Sequence, residues 1–509
     1  MTTALDRAGQ NGMRGPDATP AGEPQVQGRA RRAKRPSWFA RDPAWPIVAL
    51  CAGWPVWWFL GIGDYFPILL AIPVIRRMWL WRVRGERAIR LPPGFKIWAC
   101  FLIVTFAGVS VLSLTAPQTV ASPVGNRIVS WALRTGLYIA ITVLMLYAGN
   151  LTERELPRRR LAFLLGLVGI YTAVGGFIGV LAPHLQFTSP LAYVIPKGIQ
   201  ATNGQLQMML HPGFTQVQNI LGYDVGRSRA PFDYTNMWGN CLAILLPWLI
   251  VAWWCYGNRR ERRNTLIVLA IAFVPVVYSL DRGLWVGIGV AIAYLAVRFA
   301  ARGKLAMLAG LCGVLALVAI VVVASPLQDL ISQRLAHGKS NAVRTSLSGI
   351  AVDDAVSSPV IGYGDTRHQQ GSTNSISVGK TLKCHSCGSR DIGGNGQFWM
   401  MLISSGFLGA GLYIAFFLYG IWRYWPDPTP YGLAGVLVLI LPLLFMFVYV
   451  AVGPPLTWTM LAYALLWKND RERQKEAAAA ATGPAAQSRA RLDARGTSAR
   501  VQAWSAQRG

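Results

Sequence analysis

The chain reads as an all-α protein, a polytopic transmembrane helical bundle of about twelve spans, and three observations predict this. Hydrophobic residues make up 53% of its 509 positions and charged residues only 14%, a balance unlike that of a soluble globular chain. The apolar residues gather into runs, several of which reach the roughly 20 residues needed to cross hydrocarbon. The charges lie between those runs and sum to a net +27.

The elements follow in order. Residues 1–44, rich in Pro, Gly, Ala and Arg, are expected to form a disordered basic tail with no removable signal peptide. A short apolar hairpin, 45–62 and 65–81, opens the membrane domain of residues 45–467. Further spans are predicted at 97–115, 129–149, 161–182, 235–256, 264–281, 283–299, 305–325, 397–421, 431–450 and 454–467. Residues 468–509 form an Ala/Arg-rich tail, helical at most in part. Two connections are long, 183–234 and 326–396, and the second, between spans nine and ten, is partly helical, with an amphipathic helix expected over 327–356. Loops of this length are uncommon unless functional.

Charge orients the spans. Lys and Arg concentrate in the segments 76–96, 150–160, 257–263 and 298–304 and in both tails, whereas 183–234 holds only Lys197, Arg227 and Arg229. The positive-inside rule puts both termini in the cytoplasm and the two long loops outside. The same rule accounts for the basic charge, so a nucleic-acid partner is not expected. All five histidines, His184, His211, His337, His368 and His385, fall in the two outer loops. A proton-coupled transporter would place ionisable groups inside its spans and show matched, interrupted helices in its halves; neither pattern is evident. No P-loop, H-E-x-x-H or G-x-S-x-G stretch is present, so nucleotide hydrolysis and metalloprotease chemistry have no support.

The chemistry-bearing residues sit at the outer ends of the spans. An arginine at a membrane edge is costly and calls for a reason, and its planar fork matches phosphate oxygens. Asp281-Arg282-Gly283 joins two spans; it is read either as a salt-bridged hairpin tip or as a cation held for an anionic ligand. Arg227 and Arg229 precede Ala230-Pro231-Phe232-Asp233-Tyr234-Thr235-Asn236, where two arginines favour anion binding and Asp233 and Asn236 are placed to cap the next helix. Arg334 and Arg344 lie on the amphipathic helix, and Arg344 leads into Pro359-Val360-Ile361-Gly362-Tyr363-Gly364, whose glycines permit close backbone approach. Cys384 and Cys387 form a lone C-x-x-C, read as a small disulfide rather than a metal knuckle because no second ligand pair exists.

In order and placement these motifs resemble those of the O-antigen ligase and O-antigen polymerase superfamily of bacterial membrane glycosyltransferases, over about residues 45–467. The resemblance is carried by Arg229 to Asn236, by Asp281-Arg282-Gly283 in place of a Ser-Arg-Gly, by Arg344 with Pro359 to Gly364, and by Gly406-Phe407-Leu408-Gly409 on the following span. The His-Asn pair that ligases of this family carry eleven residues before that last motif is here Asn395-Gly396, which favours a polymerase or a divergent member. The resemblance implies transfer of a glycan from an undecaprenyl-pyrophosphate carrier to a sugar hydroxyl at the outer face of the cytoplasmic membrane, with no metal or nucleotide cofactor. It implies Arg229, Arg282 and Arg344 as pyrophosphate contacts, Asp233 and Asp281 as catalytic carboxylates beside the loop histidines, and Arg227, Asn236, Gly362, Gly364 and Asn395 as substrate-binding positions. A ligase acting on a lipid or protein acceptor, and a flippase of lipid-linked sugars, are the alternatives. Partners of the expected enzyme are the lipid-linked donor, a glycan acceptor, membrane lipid, and a chain-length regulator or flippase.

Overall fold

The computed structural model describes residues 42–119, 123–200, 204–219, 223–323, 328, 332–333, 339–369 and 391–482. Helix occupies each of the twelve predicted intervals. The helices of these intervals, with α11 of the second long connection, are α1 Trp45–Ala52, α2 Trp54–Phe59, α3 Phe66–Val83, α4 Phe95–Ala107, α5 Val124–Asn150, α6 Arg158–Leu181, α7 Thr235–Leu249, α8 Arg259–Tyr278, α9 Arg282–Ala300, α10 Leu305–Val323, α11 Lys339–Ser357, α12 Gln397–Tyr424, α13 Pro430–Phe445 and α14 Pro454–Thr482. Among the described residues, five segments are both long and apolar enough to cross a membrane: Val124–Asn150, Arg158–Leu181, Thr235–Cys255, Arg282–Ala300 and Gln397–Tyr424.

Two of the remaining intervals fall short for local reasons. The predicted span 45–62 is two short helices, α1 and α2, parted at Gly53, with a proline opening each because its fixed φ and missing N–H suit a first turn. Helix α8 begins with the charged run Arg259-Arg260-Glu261-Arg262-Arg263, and Asn258 closes a capping box with Glu261, so its first turns are polar. Helix α14 runs on through the expected boundary at 467 to Thr482. The expected amphipathic helix is described over Lys339–Ser357; Arg334, His337, His385, Cys384, Cys387 and the tails 1–41 and 483–509 lie outside the described residues.

One end of the bundle is rich in paired charges. Arg87 meets Glu155 at 2.9 Å, Arg160 meets Asp42 at 2.8 Å and Arg423 meets Asp470 at 2.7 Å, and Lys468 donates to the Leu151 carbonyl at 2.6 Å. The opposite end carries the long connections. There β1 Thr215–Asn219 and β2 Asp224–Ser228 form an antiparallel hairpin, and β3 Arg367–His368 pairs with β4 Asp391–Ile392 in a two-residue ribbon.

Between the ends, an aromatic and aliphatic core fills the bundle, with Trp54, Trp98, Trp238, Trp248 and Trp458 almost wholly buried. Trp54 packs on Phe232 and Trp458 and donates to the Pro231 carbonyl at 3.0 Å. These contacts pin the loop before α7 to the opening hairpin.

Candidate functional site

At the loop-bearing end the chain turns sharply between α8 and α9. Leu280 adopts φ +53°, the left-handed region that a γ-branched residue enters at a cost of about 1–3 kcal/mol. The turn aims the next residue, Asp281, at the start of α9, where its carboxylate accepts from the Gly283 N–H at 3.2 Å and the Leu284 N–H at 3.5 Å. Asp281 is therefore the helix cap. The Tyr449 hydroxyl donates to the same carboxylate oxygen, while the other oxygen, Oδ2, is buried without a hydrogen-bond partner. A Cβ on Gly239 of α7 would lie 2.5 Å from Oδ2, so α7 presses against this carboxylate at a glycine.

Three arginines converge there. Arg227, buried on β2, donates through Nε to the Ser279 carbonyl at 2.5 Å. Arg344, on α11, donates to the Val448 carbonyl at 3.0 Å, one residue from the tyrosine that reaches Asp281. Arg282 follows Asp281 in the chain. Burial holds the Arg227 pKa below its usual value; Asp281 and Tyr449 oppose that shift, and the like charges of Arg344 and Arg282 add to it.

The Tyr449 loop is set by Gln397, wholly buried at the start of α12. Its backbone N–H donates to the Tyr449 carbonyl at 2.8 Å, and its side chain joins the Ala451 N–H at 2.9 Å to the Tyr138 hydroxyl at 2.8 Å. Asn395 supports Arg344 from behind, donating to Ser348 Oγ at 2.9 Å and toward the Arg344 carbonyl at 3.4 Å.

Arg229 lies elsewhere. Its guanidinium reaches the carbonyls of Gly213 at 3.1 Å, Asp233 at 3.1 Å and His211 at 2.9 Å, and the Met208 sulfur at 2.9 Å, so it ties the long connection together. Its charge faces Asp233 rather than the other arginines. Asp233 and Asp64, both buried, form a carboxyl pair beneath that connection. Burial raises the Asp64 pKa to about 6, against the lowering effect of hydrogen bonds from Asp233 and Gln205. Burial, with the neighbouring Asp64 charge, raises that of Asp233 as well; two carboxylates so close cannot both ionise cheaply. Neither Asp233 nor Asn236 caps α7, as the sequence suggested. Tyr234 is the cap residue without a side-chain bond, and Gln216 Oε1 accepts from the Thr235 N–H at 3.2 Å.

Gly362 and Gly364 serve a main-chain joint. A Cβ on Gly362, whose φ is +62°, would lie 2.6 Å from the Ile403 carbonyl oxygen. The turn is stitched to α12 by Tyr363 N–H to Ile403 O at 2.8 Å and Gly364 N–H to Ser404 O at 3.1 Å. Helix α12 breaks to receive it at Gly406, φ +64°. Their close approach is thus to the protein's own backbone.

Several residues here carried no mark in the sequence reading. Tyr449 and Asp64 sit in short turns between apolar runs. Arg127, Arg134 and Arg367 form a second buried arginine group. Arg134 meets Asp365 at 2.7 Å and the Gly364 carbonyl at 2.6 Å. Burial, with Arg127 the next largest influence, lowers the Arg367 pKa to about 10. The spacing of Arg127 and Arg134, seven apart on one helix face within an apolar run, was the available signal.

Comparison of the chain with protein-family models, with curated proteins and with solved structures finds no match.

Proposed function

We propose that this protein is a membrane glycosyltransferase that polymerises undecaprenyl-pyrophosphate-linked oligosaccharide units into a surface polysaccharide. In this reading the twelve helical intervals cross the cytoplasmic membrane, both termini face the cytoplasm, and the loop-bearing end opens outward. The observation that carries it is the convergence of Arg227, Arg282 and Arg344 around a single carboxylate, Asp281, at the ends of apolar helices.

Arg344 and Arg282 repel the Arg227 charge, and an anion bound among them relieves that repulsion. A pyrophosphate anchored by a lipid tail carries the charge that such a group of arginines suits. As the acceptor oxygen bonds to the donor sugar's anomeric carbon, the bond from that carbon to the pyrophosphate oxygen breaks. The electron pair stays with the pyrophosphate, and pre-set guanidinium groups stabilise the growing charge. Asp281, fixed by the α9 N-terminus and Tyr449, orients the arginines without cancelling them. The same buried arginine pattern would suit a ligase, but the absence of the family's His-Asn pair at Asn395-Gly396 supports the polymerase.

Deleting the gene and profiling lipid-linked glycans by length and membrane face tests the reading. Single units accumulating outside, with polymer lost, are expected. Full-length polymer retained on the carrier would turn the assignment to a ligase, and single units trapped inside would turn it to a flippase.

A further inference from the structure

We infer that His368, oriented by Asp391, is the base that takes the acceptor hydroxyl's proton; this rests on the glycosyl-transfer reading above. A sugar hydroxyl is a poor nucleophile until its proton has somewhere to go, so transfer needs a base within hydrogen-bond reach. The sequence offers Asp233, Asp281 and the loop histidines, and the geometry separates them. Asp281 caps α9 and accepts from Tyr449. Asp233 is buried against Asp64 beneath the long connection. Of the described histidines, His184, His211 and His368, only His368 has its ring at ion-pair distance from a carboxylate, with Nδ1 2.5 Å from Asp391 Oδ1.

The pairing is built by strand register. In the β3–β4 ribbon Arg367 opposes Ile392 and His368 opposes Asp391. Successive side chains of a strand point to opposite faces. Arg367 and Ile392 therefore turn into the protein, where both are buried, while His368 and Asp391 turn outward together and are exposed. The buried side is firmly held. Arg367 donates to the Tyr363 carbonyl at 2.9 Å, and Ile392 packs with Leu347, Ile350 and Ala351 of α11. Leu347 is three residues from Arg344, and Asn395, four residues beyond Asp391, supports Arg344. The ribbon thus sits on the same helix that delivers one of the three arginines. On its other side Asp391 is near enough to Tyr234 to act on its hydroxyl electrostatically.

With the Nδ1 proton held toward Asp391, Nε2 is the basic nitrogen of the neutral ring. In the step proposed, Nε2 takes the acceptor hydroxyl proton as the oxygen bonds to the anomeric carbon. The carbon–oxygen bond to pyrophosphate breaks with its electrons on the leaving group, and the imidazolium then returns its proton to solvent. Asp391 acts through His368 and is a positioning residue.

The test uses the purified full-length protein in liposomes, with two probes. Undecaprenyl pyrophosphate alone reads binding, and lipid-linked oligosaccharide extracted from the deletion strain reads transfer. His368→Gln is expected to bind undecaprenyl pyrophosphate as the wild type does and to lower kcat by about 10²–10⁴-fold. His368→Gly should regain transfer when imidazole is added, and Asp391→Asn should lower kcat with KM little changed. Wild-type kcat in His368→Gln would overturn the inference and leave the glycosyltransferase reading standing. A wild-type protein that neither binds the first probe nor transfers the second would overturn both. Because His368 is exposed, an unchanged melting temperature for each variant separates loss of chemistry from loss of fold.

Discussion

The two ends of the bundle treat arginine differently. At one end Arg87, Arg160 and Arg423 each meet a carboxylate, and Arg158 meets both Glu153 and Glu476. At the other, Arg227, Arg282 and Arg344 gather about Asp281, while Arg127, Arg134 and Arg367 gather about Asp365 and the Asp354 carboxyl. Paired charges hold helices in register and need nothing further. Like charges brought together work against the fold and are retained where something else gains from them. The gathering of like charges is what makes the loop-bearing end the candidate site.

The comparison breaks first at Arg282. Arg282→Ala should reduce glycan transfer by at least about 10²–10³-fold, the scale for removing one pre-set charge-stabilising donor, while protein level in the membrane persists. Wild-type polymer length in that variant would show that the gathered arginines are structural after all. Next comes the main-chain joint. Gly406→Ala puts a Cβ 2.6 Å from the Pro359 carbonyl oxygen at a positive φ, and should cost about 1–3 kcal/mol from backbone strain alone. Thermal unfolding in detergent reads it, and an unchanged melting temperature would mean that α12 needs no break.

The buried Asp64–Asp233 pair sharpens the contrast through pH. Both carboxyls hold protons more tightly in the fold than in the unfolded chain, where aspartate titrates near about 3.9. The folded protein therefore binds the extra protons, and stability falls as pH rises from about 4 through the Asp64 value of about 6 and the further raised step of the pair. It levels off above that. Melting curves between those limits should show the slope in the wild type and a flatter one in Asp64→Asn, whose amide donates to Asp233 at any pH. Equal slopes would remove the pair from the account. The smallest effect belongs to the paired end: Arg159→Ala removes an exposed partner of Glu261 at 3.3 Å and should change stability by less than about 1 kcal/mol with transfer intact.

Hydrophobic periodicity and charge placement made the helical intervals legible, because every span must satisfy its own backbone in helix. They did not make length legible: Gly53, with Pro46 and Pro55, divides the first interval, and polar first turns shorten the apolar part of α8. Arg227, Arg282 and Arg344 were readable as arginines at span edges. Their meeting was not, since Tyr449 reaches Asp281 from 168 positions away and nothing local announces that contact. Arg229 has the same residue type and nearly the same position as Arg227, yet its four acceptors come from the folded connection. Side-chain destination, unlike side-chain type, depends on which segments become neighbours.

The joint between the Pro359–Gly364 turn and α12 is made of main chain against main chain, and that has a consequence for how such a protein can change. A contact written in carbonyls and N–H groups does not register which side chains follow it. The hydrogen bonds of the joint outlast an exchange of the side chains around it, provided Gly362 and Gly406 keep their places. The joint is then a fixed notch in the fold, indifferent to drift in the sequence around it.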